Sequence, residues 1–336
     1  MWNLNKILFL YTLALGTLMA SSSSSWFGMW MGLEINLLSF IPLMKSTKNM
    51  YASEAALKYF IIQAIASTIL LFSVIMMSTN FLYSIHSNIM NMALNSSLLL
   101  KMGAAPLHFW FPEVAEGLSW TTNMLLLTWQ KIAPMVLFLY SNKTVMFIFI
   151  IVMSCMWVSG IIGQNQVSLR KIMAYSSINH IGWMIAASLF QEMIWVMYLL
   201  IYSIITLNIL IVFKNLNIQM INQMLMIMKM NPQMKMFFVM NFLSLGGLPP
   251  FLGFLPKWMT VQLLSEYQFP VLAVTMIITT LMTLYFYMRL TFSSIVMVTA
   301  MPLTKTSSPK SSFLVFSTNL MTLVSLIMCT LAFNFL

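Results

Sequence analysis

Four charged side chains lie well inside long apolar runs of this chain: Glu34, Lys101, Lys131 and Lys257. A charge near the middle of a bilayer costs about 2.5–3.5 kcal/mol even on the scale with the smallest penalties. Such groups pair with one another or line a path for protons or ions. A carboxyl group held between desolvation and a nearby ammonium can exchange protons near neutral pH. The four residues are therefore candidates for a proton pathway, and structural ion pairs kept for packing are the alternative.

The surroundings of each candidate suggest its role. Glu34 is the only carboxylate in its apolar run, and Lys101 is its natural partner. Lys131 lies at the centre of its run, too deep for its side chain to reach water. Lys257 stands near the end of its run beside a tryptophan, a pattern also typical of an interface anchor. For Lys257 both interpretations stay open.

Histidines provide further candidates. His180 is about ten residues into its apolar run and suits a neutral proton relay, although a hydrogen-bonded packing histidine fits equally well. His108 has two interpretations, a lateral relay or a side chain at the membrane interface. His86 falls in a polar loop, and we assign it no role.

Glycine and proline interrupt two of the apolar runs. The first break, Gly103-Ala104-Ala105-Pro106, follows Lys101, and the second, Gly246-Gly247-Leu248-Pro249-Pro250, precedes Pro256-Lys257. A pair of interrupted spans in matching positions is typical of an ion pathway in transporter folds. Because lipid cannot satisfy free backbone groups, both breaks must be buried in protein or line a cavity.

Composition makes the whole chain a membrane domain. Of its residues 60% are apolar and 7% are charged, whereas soluble domains carry about 25% charged residues. A span needs about 20 apolar residues. We predict an all-α polytopic membrane protein with about eleven transmembrane helices. They cover residues 3–24, 26–44, 55–79, 88–109, 120–140, 144–162, 171–190, 193–213, 236–264, 269–291 and 313–334.

The basic residues predict the orientation of these spans. Alternating the loops between two sides places nearly all of the basic residues on the side of the N-terminus: Lys6, Lys45, Lys48, Lys58, Arg170, Lys171, Lys214, Lys229, Lys235, Arg289, Lys305 and Lys310. The other side receives only Lys143. This bias follows the positive-inside rule, so the N-terminus faces inside. The net charge of +10 therefore reflects orientation and predicts no nucleic-acid partner.

Span order predicts an internal repeat within this single membrane domain. The broken span is fourth in residues 1–142 and fourth again in residues 143–292, and residues 293–336 add a loop and a last helix. Five spans are an odd number, so the two five-helix repeats are inverted relative to each other. Glu34 and His180 occupy the second span of each repeat. We predict that residues 214–235, which are rich in methionine, and residues 292–312 are surface loops.

The sequence lacks the motifs that would indicate several other kinds of site. Cys155 and Cys329 are solitary, which argues against an iron–sulfur cluster, a structural zinc site or a disulfide framework. Neither G-x-G-x-x-G nor a P-loop is present, so no nucleotide site is visible. The 36 methionines are scattered, as expected for packing residues, and do not indicate copper transport.

The motifs resemble a known family, the NADH dehydrogenase subunit 2 proteins, which are antiporter-like subunits of mitochondrial respiratory complex I, and the arthropod members most of all. The resemblance extends over nearly the whole chain. It rests on four segments: Gly32–Asn36, Lys101–Pro112, Leu169–Lys171 with Ala174–His180, and Gly246–Trp258. Leu107 departs from the pattern, because the family usually has phenylalanine there.

This resemblance implies a function and a location. Glu34, Lys101, Lys131 and Lys257 take the family's proton-pathway positions. The chain is expected in the inner mitochondrial membrane with its basic loops facing the matrix, among lipids and the other membrane and accessory subunits of complex I. NADH, FMN, iron–sulfur clusters and ubiquinone are expected in other subunits, with no cofactor or metal on this chain.

Two rival functions remain. A free-standing cation/proton antiporter needs a cation site, and sodium prefers several oxygen ligands. The chain has no aspartate and one mid-membrane glutamate, which counts against that function. A purely structural subunit would keep four buried charges at a cost without a benefit.

Overall fold

The described part of the chain is helical, as the apolar runs predict. A computed structural model describes residues 4–45, 49–79, 84–142, 144–230, 232–249 and 251–296. Within these ranges there is no β-strand, only an isolated bridge between Ser168 and Met220. The all-α prediction is confirmed. The predicted last span, 313–334, and Cys329 lie outside the described residues.

The chain divides into two compact units, Met1–Cys155 and Met156–Leu336. The first contains α1 (Leu4–Ser22), α2 (Trp26–Met44), α3 (Met50–Thr79), α4 (Ser84–Met102), α5 (Trp110–Gly117), α6 (Trp120–Leu127), a 3₁₀ turn (Trp129–Lys131), α7 (Ile132–Tyr140) and the start of α8 (Val145–Gln164). The second contains the rest of α8, α9 (Leu169–Ser188), α10 (Glu192–Leu216), α11 (Ile221–Met230), α12 (Pro232–Gly246), α13 (Phe254–Glu266) and α14 (Pro270–Val296).

Six of the described helices are long and apolar enough to cross a membrane: α1, α2, α3, α8, α10 and α14. Helix α9 carries more polar residues, yet nearly its whole length is buried within the second unit. The predicted repeat boundary at residue 142 and the count of eleven spans stay predictions.

Serine caps and small residues explain the first hairpin. Ser25 precedes α2 and its side chain accepts a hydrogen bond from the Gly28 amide at 3.3 Å, which fixes where that helix begins. A methyl group added at Gly32 would lie 2.5 Å from the backbone nitrogen of Ala20 on α1. Glycine therefore lets α1 and α2 pack backbone to backbone, as in other membrane helix pairs. This packing anchors the helix that carries Glu34.

The structure departs from continuous spans, or from a predicted loop, in four places. The predicted fourth and ninth spans end at their glycine breaks and resume as separate helices, as expected from those breaks. The predicted fifth span is also interrupted, by the 3₁₀ turn that ends at Lys131. Residues 214–235, predicted as a surface loop, contain α11, and the side chain of Met224 in this helix is fully buried. Burial of Met224 helps to stabilise this short helix.

On the side predicted to face inside, basic side chains donate hydrogen bonds to backbone carbonyl groups at helix C-termini. Arg289 Nη2 donates to the Gln164 carbonyl at the end of α8, at 3.0 Å. Lys235 Nζ donates to the Ile295 carbonyl near the end of α14, at 3.3 Å. Cations interact favourably with the negative end of a helix dipole. These pairs join residues that the charge pattern assigns to the same side of the membrane.

Candidate functional site

The first break is a glycine-terminated helix end. Gly103 has a φ of +77°, a left-handed conformation that glycine adopts without strain. Its amide donates to the Leu100 carbonyl at 3.1 Å, and the Ala104 amide donates to the Leu99 carbonyl at 3.0 Å. This pair of bonds is a Schellman motif. Helix α4 therefore stops one residue after Lys101.

Side chains satisfy the carbonyl groups that the end of α4 leaves free. Gln63 on α3 donates to the Lys101 carbonyl at 3.2 Å. The indole of Trp110 donates to the Leu100 carbonyl, also at 3.2 Å. Non-helical backbone at membrane depth is tolerated only where protein or water replaces the lost partners. Here α3 and α5 provide replacements.

Side chains of helix α8 form hydrogen bonds with the backbone of the break at Ala105. The Ser154 hydroxyl donates to the Ala105 carbonyl at 2.8 Å, and the Ala105 amide donates to the Cys155 sulfur at 3.2 Å. The buried cysteine thus serves as a backbone partner, a use that its solitary position in the sequence did not reveal.

Glu34 and Lys101 are brought together without a direct ion pair. Lys101 is 6% exposed, so its side chain is buried within the first unit. Glu34, on α2, is partly buried and lies within electrostatic range of both Lys101 and Tyr59. No nitrogen–oxygen distance within 4.0 Å joins Glu34 to Lys101, and the Glu34 Oε1 atom is buried without a hydrogen-bond partner. Any interaction between the two side chains in this geometry is therefore through space rather than by direct contact.

Lys131 occupies a third interruption of helical structure. The 3₁₀ turn Trp129–Lys131 separates α6 from α7, and Lys131 is 2% exposed. Pro134 has no amide hydrogen, so it leaves the carbonyl of residue 130 without its usual partner one turn later. A 3₁₀ stretch inside a longer helix is often a hinge or a functional site. The sequence prediction of a continuous span missed this interruption.

Beside Lys131, a hydrogen-bonded chain of three side chains joins three helical segments. Gln130 Nε2 donates to Asn36 Oδ1 at 3.0 Å, and the Tyr59 hydroxyl donates to Gln130 Oε1 at 3.4 Å. Asn36 lies two residues after Glu34 on α2. Only the position of Gln130 next to a buried lysine hinted at this arrangement. A lone tyrosine on an apolar helix gave no signal.

The second break repeats the turn of the first. Gly247 has a φ of +78°, and its amide donates to the Ser244 carbonyl at 3.0 Å. The Leu248 amide donates to the Leu243 carbonyl at 3.3 Å. These are again the two bonds of a Schellman motif, and they end α12.

Lys257 reaches back from α13 to this helix end. Its Nζ donates to the Gly246 carbonyl at 2.8 Å and to the Leu245 carbonyl at 3.3 Å. The residue is 7% exposed, whereas the neighbouring Trp258 is 55% exposed. The ammonium thus caps the C-terminus of α12, where a positive charge is favourable. This buried contact disfavours an interface anchor for Lys257.

The two candidate histidines have different surroundings. His180 is 4% exposed, its Nδ1 lies 2.9 Å from the Tyr198 hydroxyl, and the Tyr202 ring centroid is 4.9 Å away. His108 is buried at the first break, with Nδ1 3.3 Å from the Pro106 carbonyl oxygen. The His86 side chain lies outside the described residues.

The structure therefore places Glu34, Lys101 and Lys131 in the first unit, and His180 and Lys257 in the second. Among the described residues, no group of three histidine, cysteine or carboxylate side chains is arranged to hold a metal ion. The roles of the five residues in proton transfer stay predictions.

Comparison with known proteins identifies the family. Residues 23–283 match the family described as NADH:quinone oxidoreductase/Mrp antiporter, transmembrane. The NADH-ubiquinone oxidoreductase chain 2 of Anopheles gambiae is 49% identical over 87% of this chain and 86% of its own length. That of Locusta migratoria is 46% identical over 88% and 86%.

A solved structure shares the fold. A chain of respiratory complex I from Thermus thermophilus superposes with a TM-score of 0.87 at 23% identity, covering 98% of this chain and 79% of that one. The likeness supports an antiporter-like arrangement of helices. The interrupted helices, the motifs and the similarity to its relatives lead to one conclusion: the chain belongs to the NADH-ubiquinone oxidoreductase chain 2 family.

Proposed function

We propose that this chain is a membrane subunit of NADH:ubiquinone oxidoreductase, respiratory complex I, and takes part in proton translocation coupled to electron transfer. The relatives that match over most of its length are named as chain 2 of that enzyme. In this proposal the electron transfer from NADH to ubiquinone takes place in other subunits, which hold NAD, FMN, iron–sulfur clusters and ubiquinone.

One observation supports a proton pathway above the others: each of the three buried lysines lies at an interruption of helical hydrogen bonding. Lys101 precedes a Schellman turn, Lys131 ends a 3₁₀ turn, and Lys257 caps a second Schellman turn. Interrupted backbone offers carbonyl groups and room for water that a continuous helix lacks. Such surroundings let an ammonium group keep or pass on a proton inside the protein.

The residues take distinct roles in this pathway. Protonation passes along Lys101, Lys131 and Lys257 through a hydrated polar route. Glu34 biases Lys101 electrostatically, since its carboxylate lies within range but forms no direct ion pair. His180 is an additional relay, with the Tyr198 hydroxyl as its hydrogen-bond partner.

The proposal includes a location and an orientation. The chain spans the inner mitochondrial membrane with its N-terminus and basic loops facing the matrix, in contact with other subunits and with lipid. The distribution of basic residues supports this orientation.

Purification tests the proposal against a free-standing antiporter. The chain is tagged in mitochondria, solubilised in mild detergent and fractionated by size. We expect it only in a large assembly that oxidises NADH and, after reconstitution into vesicles, acidifies one side. Recovery of the isolated chain with cation/proton exchange in vesicles would overturn the proposal.

A further inference from the structure

Helix α3 contacts both of the lysine-bearing interruptions in the first unit through side chains one turn apart. Tyr59 and Gln63 are separated by four residues and so lie on the same face of the helix. Both are buried, at 3% and 4% exposure. The relay proposed above assigns neither of them a role.

Gln63 contacts the interruption that carries Lys101. Its amide nitrogen donates to the Lys101 carbonyl at 3.2 Å, in the last turn of α4 before the break. That carbonyl has no partner within its own helix, because the Ala105 amide, which would reach it in a continuous helix, donates to the Cys155 sulfur instead. Gln63 therefore fixes the backbone from which the Lys101 side chain extends.

Tyr59 contacts the interruption that carries Lys131. Its hydroxyl donates to Gln130, the residue before Lys131, and Gln130 donates in turn to Asn36 on the Glu34 helix. The Tyr59 ring packs edge to face against Phe40, with centroids 5.3 Å apart. The ring is thereby held while the hydroxyl orients the side chain beside Lys131.

The same tyrosine ring also contacts the first break. Trp110 packs edge to face against Tyr59 with centroids 5.8 Å apart, and its indole donates to the Leu100 carbonyl. The hydroxyl lies within electrostatic range of Glu34 as well. Tyr59 is thus linked to all three candidate pathway residues of the first unit: to Lys101 through Trp110, to Lys131 through Gln130, and to Glu34 electrostatically.

We propose that Tyr59 and Gln63 are positioning residues that hold the Lys101 break and the Lys131 turn in a fixed geometry for proton transfer between them. This inference rests on the proposed proton pathway. Neither residue carries the proton. Gln63 acts through the backbone of Lys101, and Tyr59 acts through the Gln130 side chain next to Lys131.

Tyr59→Phe and Gln63→Met in the intact complex test this role. Both variants retain the shape of the side chain and remove one hydrogen bond, so the complex should assemble and oxidise NADH with artificial acceptors normally. Proton pumping per NADH oxidised should fall by about threefold in each, the effect of losing one hydrogen bond. The pH profile of pumping should also change, because the separation of the titrating groups is no longer fixed.

Tyr51→Phe is the matched control. It makes the same chemical change on the same helix at a side chain that is 78% exposed, and it should leave pumping unchanged. A double-mutant cycle adds a second readout: Tyr59→Phe should have no further effect in a Gln130→Met background, since both remove the same hydrogen bond.

The outcomes separate this inference from the pathway itself. If Lys131→Met abolishes pumping while Tyr59→Phe and Gln63→Met behave like Tyr51→Phe, the positioning role is wrong and the pathway stands. If Lys131→Met pumps normally, the proposed pathway is wrong. Additive effects of Tyr59→Phe and Gln130→Met would contradict the contact through which Tyr59 acts.

Discussion

The two glycine breaks share a backbone turn but use their lysines differently. Gly103 and Gly247 have φ values of +77° and +78°, and each ends its helix with the same pair of amide–carbonyl bonds. Lys101 precedes its break, and neutral side chains satisfy the freed carbonyls there. Lys257 follows its break, and its own ammonium satisfies them.

In the first unit, neutral side chains stabilise the helix end and the lysine carries the charge. In the second unit, the lysine does both. Because Gln63 and Trp110 bond the helix end in the first unit, a change in the charge of Lys101 would leave those bonds in place. Removing the charge of Lys257 in the second unit would weaken the cap of α12. We therefore expect substitutions of the two lysines to affect assembly unequally, although both impair pumping.

The largest effect is expected at Gly253, near the second break. A methyl group there would overlap the Ser244 carbonyl oxygen, which belongs to the backbone and cannot move aside alone. Gly253→Ala should destabilise the second unit by about 3 kcal/mol, the upper end of the usual cost of overpacking, and abolish assembly, measured on native gels. Gly246→Ala is the control, because its nearest neighbour, in the Tyr287 ring, lies 3.6 Å away. Equal assembly of both variants would contradict the described turn.

Replacing the lysines tests the comparison itself. Lys257→Met leaves the Gly246 and Leu245 carbonyls without their donor, at a cost of about 1–3 kcal/mol. Lys101→Met removes no donor from its break. Thermal inactivation of the assembled complex should therefore occur at a lower temperature for Lys257→Met than for Lys101→Met, with pumping lost in both. The reverse order of stability would show that the Lys257 ammonium does not cap α12.

The smallest effect is expected from Glu34→Gln. This change keeps the shape of the side chain and removes the charge that acts on Lys101. Charges beyond direct contact interact by roughly 1 kcal/mol in a partly hydrated interior, which corresponds to about a fivefold loss of pumping rate. Initial rates of NADH-driven acidification in vesicles, normalised to assembled complex, measure it. Wild-type pumping by a fully assembled variant would reduce Glu34 to a packing residue.

The sequence predicted the two glycine breaks because glycine and proline act locally, through φ and the missing amide hydrogen. The predicted second span also begins where α2 begins, at Trp26, because the apolar run starts there. The interruption at Lys131 escaped prediction. Its local signal is a single proline without glycine, and a membrane helix often tolerates a proline.

Long-range contacts account for the other features that the sequence did not predict. The direction in which the Lys257 side chain points depends on how α13 packs against α12, and a tryptophan beside a lysine predicts an interface anchor equally well. Tyr59 and Tyr198 acquire their significance from partners 71 and 18 residues away in sequence. No local pattern distinguishes such a tyrosine from one that faces lipid.

Lys131→Met tests the central claim most directly, because Lys131 is the middle link of the proposed relay and is almost fully buried. Methionine replaces a costly buried ammonium with an apolar chain of similar reach, so the complex should assemble. The measurement is the number of protons pumped per NADH oxidised by purified variant and wild-type complexes in sealed vesicles. We predict normal assembly and a large fall in this ratio. A wild-type ratio together with wild-type NADH oxidation would contradict the proton pathway at its centre.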